Sequence, residues 1–84
     1  MLNVSVISPE ATLFTGEAES VVAPAFDGEV GILTGHAPMI TALGSGTLRV
    51  QNAGSVEQFD VDGGFLQVVD NQVRVVTERA EQRR

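Results

Sequence analysis

Eighty-four residues suffice for one domain around one core, because a chain of this size buries only about 60% of the surface it exposes when unfolded. Hydrophobic residues make up 43% of the chain, enough to fold, and the absence of cysteine excludes disulfide staples, thiolate chemistry and zinc-thiolate sites. A net charge of −6, four Phe, no Trp, no Tyr and no lysine exclude a phosphate-binding or base-stacking surface, and exclude a carrier domain that attaches lipoyl or biotin to a lysine amine.

The N-terminal stretch MLNVSVIS alternates Leu2, Val4 and Val6 with Asn3 and Ser5, which is the period of a half-buried strand and predicts one over 2–8. It has no basic segment followed by a long apolar run, so neither a signal peptide nor a spanning helix is expected, and the Asn3-Val4-Ser5 sequon is read as chance. Further strands are predicted over 16–24 and 28–33. Residues 28–38, GEVGILTGHAP, then bring together three glycines, the single histidine and a proline, a set of backbone devices that predicts a turn ordinary residues would not adopt.

Strands are expected at 38–43, 46–51, 56–62, 64–69 and 72–77. The alternation returns in Leu48 and Val50 around Arg49, in Phe59 and Val61 around Asp60, and in Val73 and Val75 around Arg74. Gly44-Ser45-Gly46, Asn52-Ala53-Gly54-Ser55 and Asp62-Gly63-Gly64 separate them as turns. Asp70-Asn71 reads as a two-residue hairpin turn, since Asp and Asn tolerate positive φ. The fold class expected is all-β, an antiparallel β-sandwich of about eight to ten short strands. Loss of Phe59 or Phe65 to alanine is expected to cost about 3–5 kcal/mol if the ring is fully buried. Met39 and Ile40, adjacent in one strand, must point to opposite faces, so one of them needs a cover.

Residues 1–78 carry ten acids and two arginines, whereas RAEQRR at 79–84 carries three arginines and one acid. The sequence therefore divides into a β-sandwich over 1–78 and a basic tail over 79–84. The tail is read as a frayed end or the start of a helical region, because the roughly seven residues from Glu78 are too few for a stable isolated helix.

His36 is the obvious candidate for acid–base or metal chemistry, but only Asp27 and Glu29 near it are usual ligands. Ser45 lies in LGSGT and not in the Gly-x-Ser-x-Gly elbow that exposes a nucleophile. Asp60-x-Asp62-Gly63-Gly64 lacks the third acid and the closing glutamate of a calcium loop. Gly44-Ser45-Gly46 lacks the third glycine of a dinucleotide fingerprint and links two strands, and there is no Gly-Lys-Ser/Thr. No catalytic residue, cofactor or metal is expected. Glu29, framed by Gly28 and Gly31, reads either as a solvated charge at a strand start or as a carboxylate held out from a tight bend.

The segment FDGEVGILTGHAPMITALGSGTLRV, residues 26–50, resembles the Gly-Glu-x-Gly-Ile-x-Pro-Gly-His-Ala-Pro motif of the epsilon subunit of F-type proton-translocating ATP synthases. LNVSVISPEATLFTGEAESVVAPAFDGEVGIL resembles that family's opening, and DVDGGFLQVVDNQVRVVTERA its closing strands, so the likeness runs over 2–80. Thr34 departs from the family's proline, which removes a fixed φ and adds a backbone donor. The resemblance implies a non-catalytic subunit of the rotary central stalk, peripheral on the cytoplasmic face of a bacterial inner membrane, that couples proton flow to ATP synthesis. It implies two partners: Gly28, Glu29 and Val30 match the loop facing the c-ring, and Ser8, His36 and Thr41 match the side facing gamma. Family members continue into two C-terminal helices that restrain hydrolysis and in some cases bind ATP; these 84 residues are expected to lack that helical hairpin and both properties. Beside this reading stand a free-standing β-sandwich that binds a peptide or small ligand, and a small hydrolase built on His36.

Overall fold

The computed structural model describes residues 1–83, and among these it contains ten strands and no helix. In chain order they are β1 (Leu2–Ile7), β2 (Thr12–Ala18), β3 (Ser20–Ala25), β4 (Gly28–Leu33), β5 (Met39–Ala42), β6 (Ser45–Asn52), β7 (Ser55–Asp62), β8 (Phe65–Val69), β9 (Gln72–Val76) and β10 (Arg79–Arg83). One five-stranded sheet has the order β2-β1-β9-β8-β5 and the other the order β10-β7-β6-β3-β4. Among the described residues only β1 and β9 run parallel, so the expected antiparallel sandwich forms with one parallel pair inside its first sheet.

The period-two pattern decides what lies between the sheets. Leu2, Val4 and Val6 of β1 join Leu66, Val68, Val73 and Val75 from the first sheet; Val21, Ala23, Ile32, Leu48, Val50, Phe59 and Val61 meet them from the second. Each such side chain contributes about 1.5–3 kcal/mol by leaving water. Phe14 of β2 reaches across to Phe59 of β7, the ring centroids 6.2 Å apart at 63°, an edge-to-face contact between the two layers.

Two expectations about elements are corrected. The strand predicted over 16–24 is two strands in different sheets: β2 ends at Ala18, Glu19 carries the chain across, and its N–H donates to the Gln51 carbonyl at 2.8 Å. No Gly or Pro marks that crossover, so nothing in the local composition divides the run. The tail read as a frayed end or a helix start is strand β10, paired with β7 from Arg79↔Asp62 to Arg83↔Gln58; Arg84 lies outside the described residues. Ala80 packs against the core, Gln82 donates to Glu57 at 3.2 Å and Arg83 sits 3.7 Å from Asp60. An open sheet edge overrides the helical preference of these residues.

The hairpin turns organise two ends. At one end lie the β1–β2 turn at 8–11, the β3–β4 tip Phe26-Asp27, the β5–β6 link Leu43-Gly44 and the β7–β8 turn Gly63-Gly64. At the other lie the Glu19 crossover, the β4–β5 loop at 34–38 and the turns Ala53-Gly54 and Asp70-Asn71. Asp70 and Asn71 have φ of 49° and 63°, as expected of a type I′ turn. Ala53 adopts φ 52° with no side-chain oxygen to favour it. Ala53→Asn is therefore expected to raise stability by roughly 1 kcal/mol, the order of the left-handed penalty it relieves. An unchanged urea midpoint would show that Ala53 carries no strain.

Candidate functional site

The two outer faces differ chemically, and the register shows why. In the first sheet, Ala42, Phe65, Val76 and Ile7 stand in one row, and Ile40, Gln67, Arg74 and Ser5 in the next. Alternation sends both rows outward. Ile40 is 69% exposed, with Phe65 and Val69 also exposed and Ile7 and Val76 half-buried. The strands of that sheet present only Arg74 and Glu17 as charged side chains there, among the described residues. Two apolar hollows mark this face. One is lined by Ile7, Ser8, Pro9, Phe65 and Val76, the other by Pro38, Met39, Ile40, Gln67 and Val69. Met39 packs on the core and Ile40 points out, so Ile40 is the one of the pair left uncovered.

The second sheet's outer face carries more charge and is cross-linked by side chains, although Leu33 and Val56 are also exposed on its strands. Ser45 donates to Asp62, Thr47 to Asp60 at 3.3 Å, and Arg49 to both oxygens of Glu29 at 3.4 and 3.5 Å. The Arg49–Glu29 pair is open to solvent on both sides and is worth about 0–1 kcal/mol, so a partner's cation can replace Arg49 cheaply.

The six residues singled out by the resemblance fall into different settings. Gly28 opens β4 at φ +131°, a conformation that favours glycine, opposite Ala25; Glu29 faces outward opposite Pro24; Val30 turns inward and packs against the core. Gly28 and Glu29 are thus presented together, and Val30 is not. Ser8 is nearly buried in the β1–β2 turn, where its hydroxyl donates to the Ala11 carbonyl at 3.3 Å. Thr41 is half-buried and faces inward opposite Leu66, its hydroxyl 3.4 Å from the Ala42 carbonyl. His36 lies in the β4–β5 loop, half-exposed, its Nδ1 2.7 Å from the Ala37 carbonyl oxygen and its N–H bonded to Leu33. Asn71 of the β8–β9 turn holds that loop by accepting the Gly35 N–H at 2.7 Å.

Ser8 and His36 therefore stand at opposite ends of the first sheet, separated along the strands by about 15–20 Å at 3.3 Å per residue. They do not form one cluster. What connects them is the apolar outer face: Ser8 lines one hollow, and His36 precedes Pro38 at the edge of the other. Sequence reasoning did not single out five side chains that the structure presents on the surface: Phe65, Val69 and Val76 facing outward, the cation Arg49 that holds Glu29, and Phe26 at the β3–β4 tip. Catalysis at His36 finds no support in its surroundings, since its ring contacts a backbone carbonyl while Ser45 belongs to the Asp62 pair at the other end of the molecule.

Residues 1–83 match the family model of the ATP synthase delta/epsilon chain, beta-sandwich domain. The ATP synthase epsilon chain of Leptospira borgpetersenii is 46% identical over 77 residues, covering 92% of this chain and 61% of that protein. That of Rhodopirellula baltica is 51% identical over 75 residues, covering 89% and 59%. The chain thus spans about three-fifths of the length of these curated relatives. A chain of the Euglena gracilis mitochondrial ATP synthase, in a structure of OSCP/F1/c-ring, matches with a TM-score of 0.89 at 25% identity, over 96% of this chain and 52% of that one. A chain from the Tetrahymena thermophila mitochondrial ATP synthase central stalk and c-ring has a TM-score of 0.79 at 16% identity, which shows the shared fold. With its strand order, turns and glycine loop all inside the matched region, the chain belongs to the ATP synthase delta/epsilon family and forms that family's β-sandwich domain.

Proposed function

We propose that this domain is a non-catalytic rotor part of an F-type ATP synthase, peripheral on the cytoplasmic face of a bacterial membrane, which helps couple proton flow to ATP synthesis. It docks on the gamma subunit through the outer face of the first sheet and on the c-ring through the start of β4. The observation that carries this reading is the apolar first-sheet face bordered by Ser8 and His36, because a monomer of this size gains nothing from leaving Ile40, Phe65 and Val69 in water. The open Arg49–Glu29 pair suits the second contact, where Glu29 can exchange Arg49 for a partner's cation or amide.

Ile40→Asp tests the gamma contact. With 69% of Ile40 in solvent, the substitution leaves the melting temperature unchanged and is expected to weaken binding to gamma at least tenfold. Equal binding of wild type and variant would remove this face from the interface. A free-standing ligand-binding module would show no association with gamma at all.

The domain by itself is expected to bind no ATP with specificity and to leave hydrolysis unrestrained. Its glycine turns join strands and do not open a helix whose N-terminus could hold a phosphate, and it has no lysine. Calorimetric titration at physiological salt checks this, and saturable one-to-one binding near micromolar affinity would contradict it.

A further inference from the structure

Phe26 is 71% exposed at the tip of the β3–β4 hairpin, where the paired residues Ala25 and Gly28 leave a two-residue loop, Phe26-Asp27. Turn geometry does not call for it: neither Phe26 nor Asp27 has a positive φ, and a turn of that kind accepts most residues. The backbone beneath it is nonetheless firmly held. The Phe26 N–H donates to the Ala42 carbonyl at 3.1 Å, the Gly44 N–H donates to Pro24 at 2.8 Å, and Ala25 bridges to Leu43. Gly44 lies so close that a Cβ there would sit 3.2 Å from the Ala25 oxygen and 3.5 Å from the Phe26 Cα. A large apolar ring is thus displayed from a rigid support, which is the anatomy of an interface anchor. Such a ring has two side-chain torsions to immobilise and a backbone already in place, so little entropy is lost on docking.

The neighbours specify the partner's chemistry. Asp27 shares the loop, and Glu29, in its solvent-open pair with Arg49, leaves the same hairpin two residues later, so the hairpin end carries two carboxylates and one cation. The complementary surface is an apolar recess bordered by basic side chains. We propose that Phe26 is the anchor by which this domain grips a solvent-facing loop of the c-ring. This rests on the reading that the start of β4 faces that ring. The shared hairpin and its acidic side chains select this occupant over gamma, whose proposed contact is the largely uncharged face of the other sheet.

The test assembles this chain with gamma and measures binding of the pair to detergent-solubilised c-ring, for wild type, Phe26→Ala, Phe26→Leu and Glu29→Gln. Phe26→Ala is expected to weaken ring binding ten- to a hundredfold, with the melting temperature and gamma affinity unchanged, and Phe26→Leu is expected to recover part of the loss. Ring binding by Phe26→Ala within twofold of wild type, while Glu29→Gln is weakened, overturns the anchor and leaves the ring contact standing. Failure of wild type itself to bind the ring overturns both. Loss of gamma affinity in Phe26→Ala, or a dimer of the free chain that this substitution dissolves, assigns Phe26 to another partner and overturns the proposal.

Discussion

Gly64→Ala is expected to leave no stable sandwich at 25 °C. Gly64 has φ +103°, and a Cβ placed on it would lie 2.0 Å from the Val76 carbonyl oxygen and 2.6 Å from the Thr77 Cα. Both obstacles are backbone, and neither is free to retreat. Val76 is paired with Phe65 on one side and Ile7 on the other, and the Thr77 N–H donates to the Ile7 carbonyl at 2.9 Å. The left-handed backbone adds roughly 1–2 kcal/mol of strain and the overlap roughly 1–3 kcal/mol or more, against a total stability on the order of 5 kcal/mol for a domain of this size. Gly63→Ala provides the control, because a Cβ at Gly63 would meet only the Glu78 side chain, at 3.6 Å. Circular dichroism should show a cooperative melt for Gly63→Ala and none for Gly64→Ala. A Gly64→Ala melt within a few degrees of wild type would mean that the β7–β8 turn can move away from β9.

Phe59→Ala is the second large effect. Phe59 is fully buried on β7, flanked by Leu48 on β6 and Gln82 on β10, and it carries the edge-to-face contact with Phe14 that joins the sheets. Truncation removes a ring that neighbours on several strands cannot collapse to replace, at about 3–5 kcal/mol. Phe65→Ala, by contrast, is expected to cost within about 0.5–1 kcal/mol, because Phe65 points outward from β8 and is 38% exposed. Urea titrations of the two variants should differ accordingly, and equal losses would show that Phe65 packs in solution as a core residue.

Full burial, on which the expected cost of losing either ring depends, holds at Phe59 and fails at Phe65 for a physical reason. In Phe65-Leu66 a strand carries two apolar residues side by side, and only one can face inward. The same logic, applied to Met39-Ile40 from the sequence, holds for Val6-Ile7, Val68-Val69 and Val75-Val76, each with one buried and one outward member. Val21-Val22 and Ile32-Leu33 repeat the pattern in the second sheet, so such a doublet tells that one member faces out but not which sheet carries the more apolar outer face. The alternating strands and the Asp70-Asn71 turn were legible because they depend on local period and local φ. The crossover at Glu19, the strand β10 and the Arg49–Glu29 pair were not, because each is decided by a neighbour far along the chain. Likewise nothing local in Ser8, His36 and Thr41 tells that the first two fall at opposite ends of one sheet and that the third faces its inner side.

The single parallel pairing, β1 beside β9, also governs how the molecule is made. Asn3 finds its partner at Gln72, and the bond from the Asn3 N–H to the Asn71 carbonyl closes residues 3–71 into one loop. During synthesis β1 and β2 can meet as a hairpin, but the strand that belongs on β1's other side is the ninth to emerge. Until it does, one flank of LNVSVI keeps unpaired backbone groups and an uncovered apolar face, open to chaperones or to another nascent chain. Pairings of such long reach place folding on the order of milliseconds to seconds, and a fragment cut before β9 has no smaller sandwich to settle into.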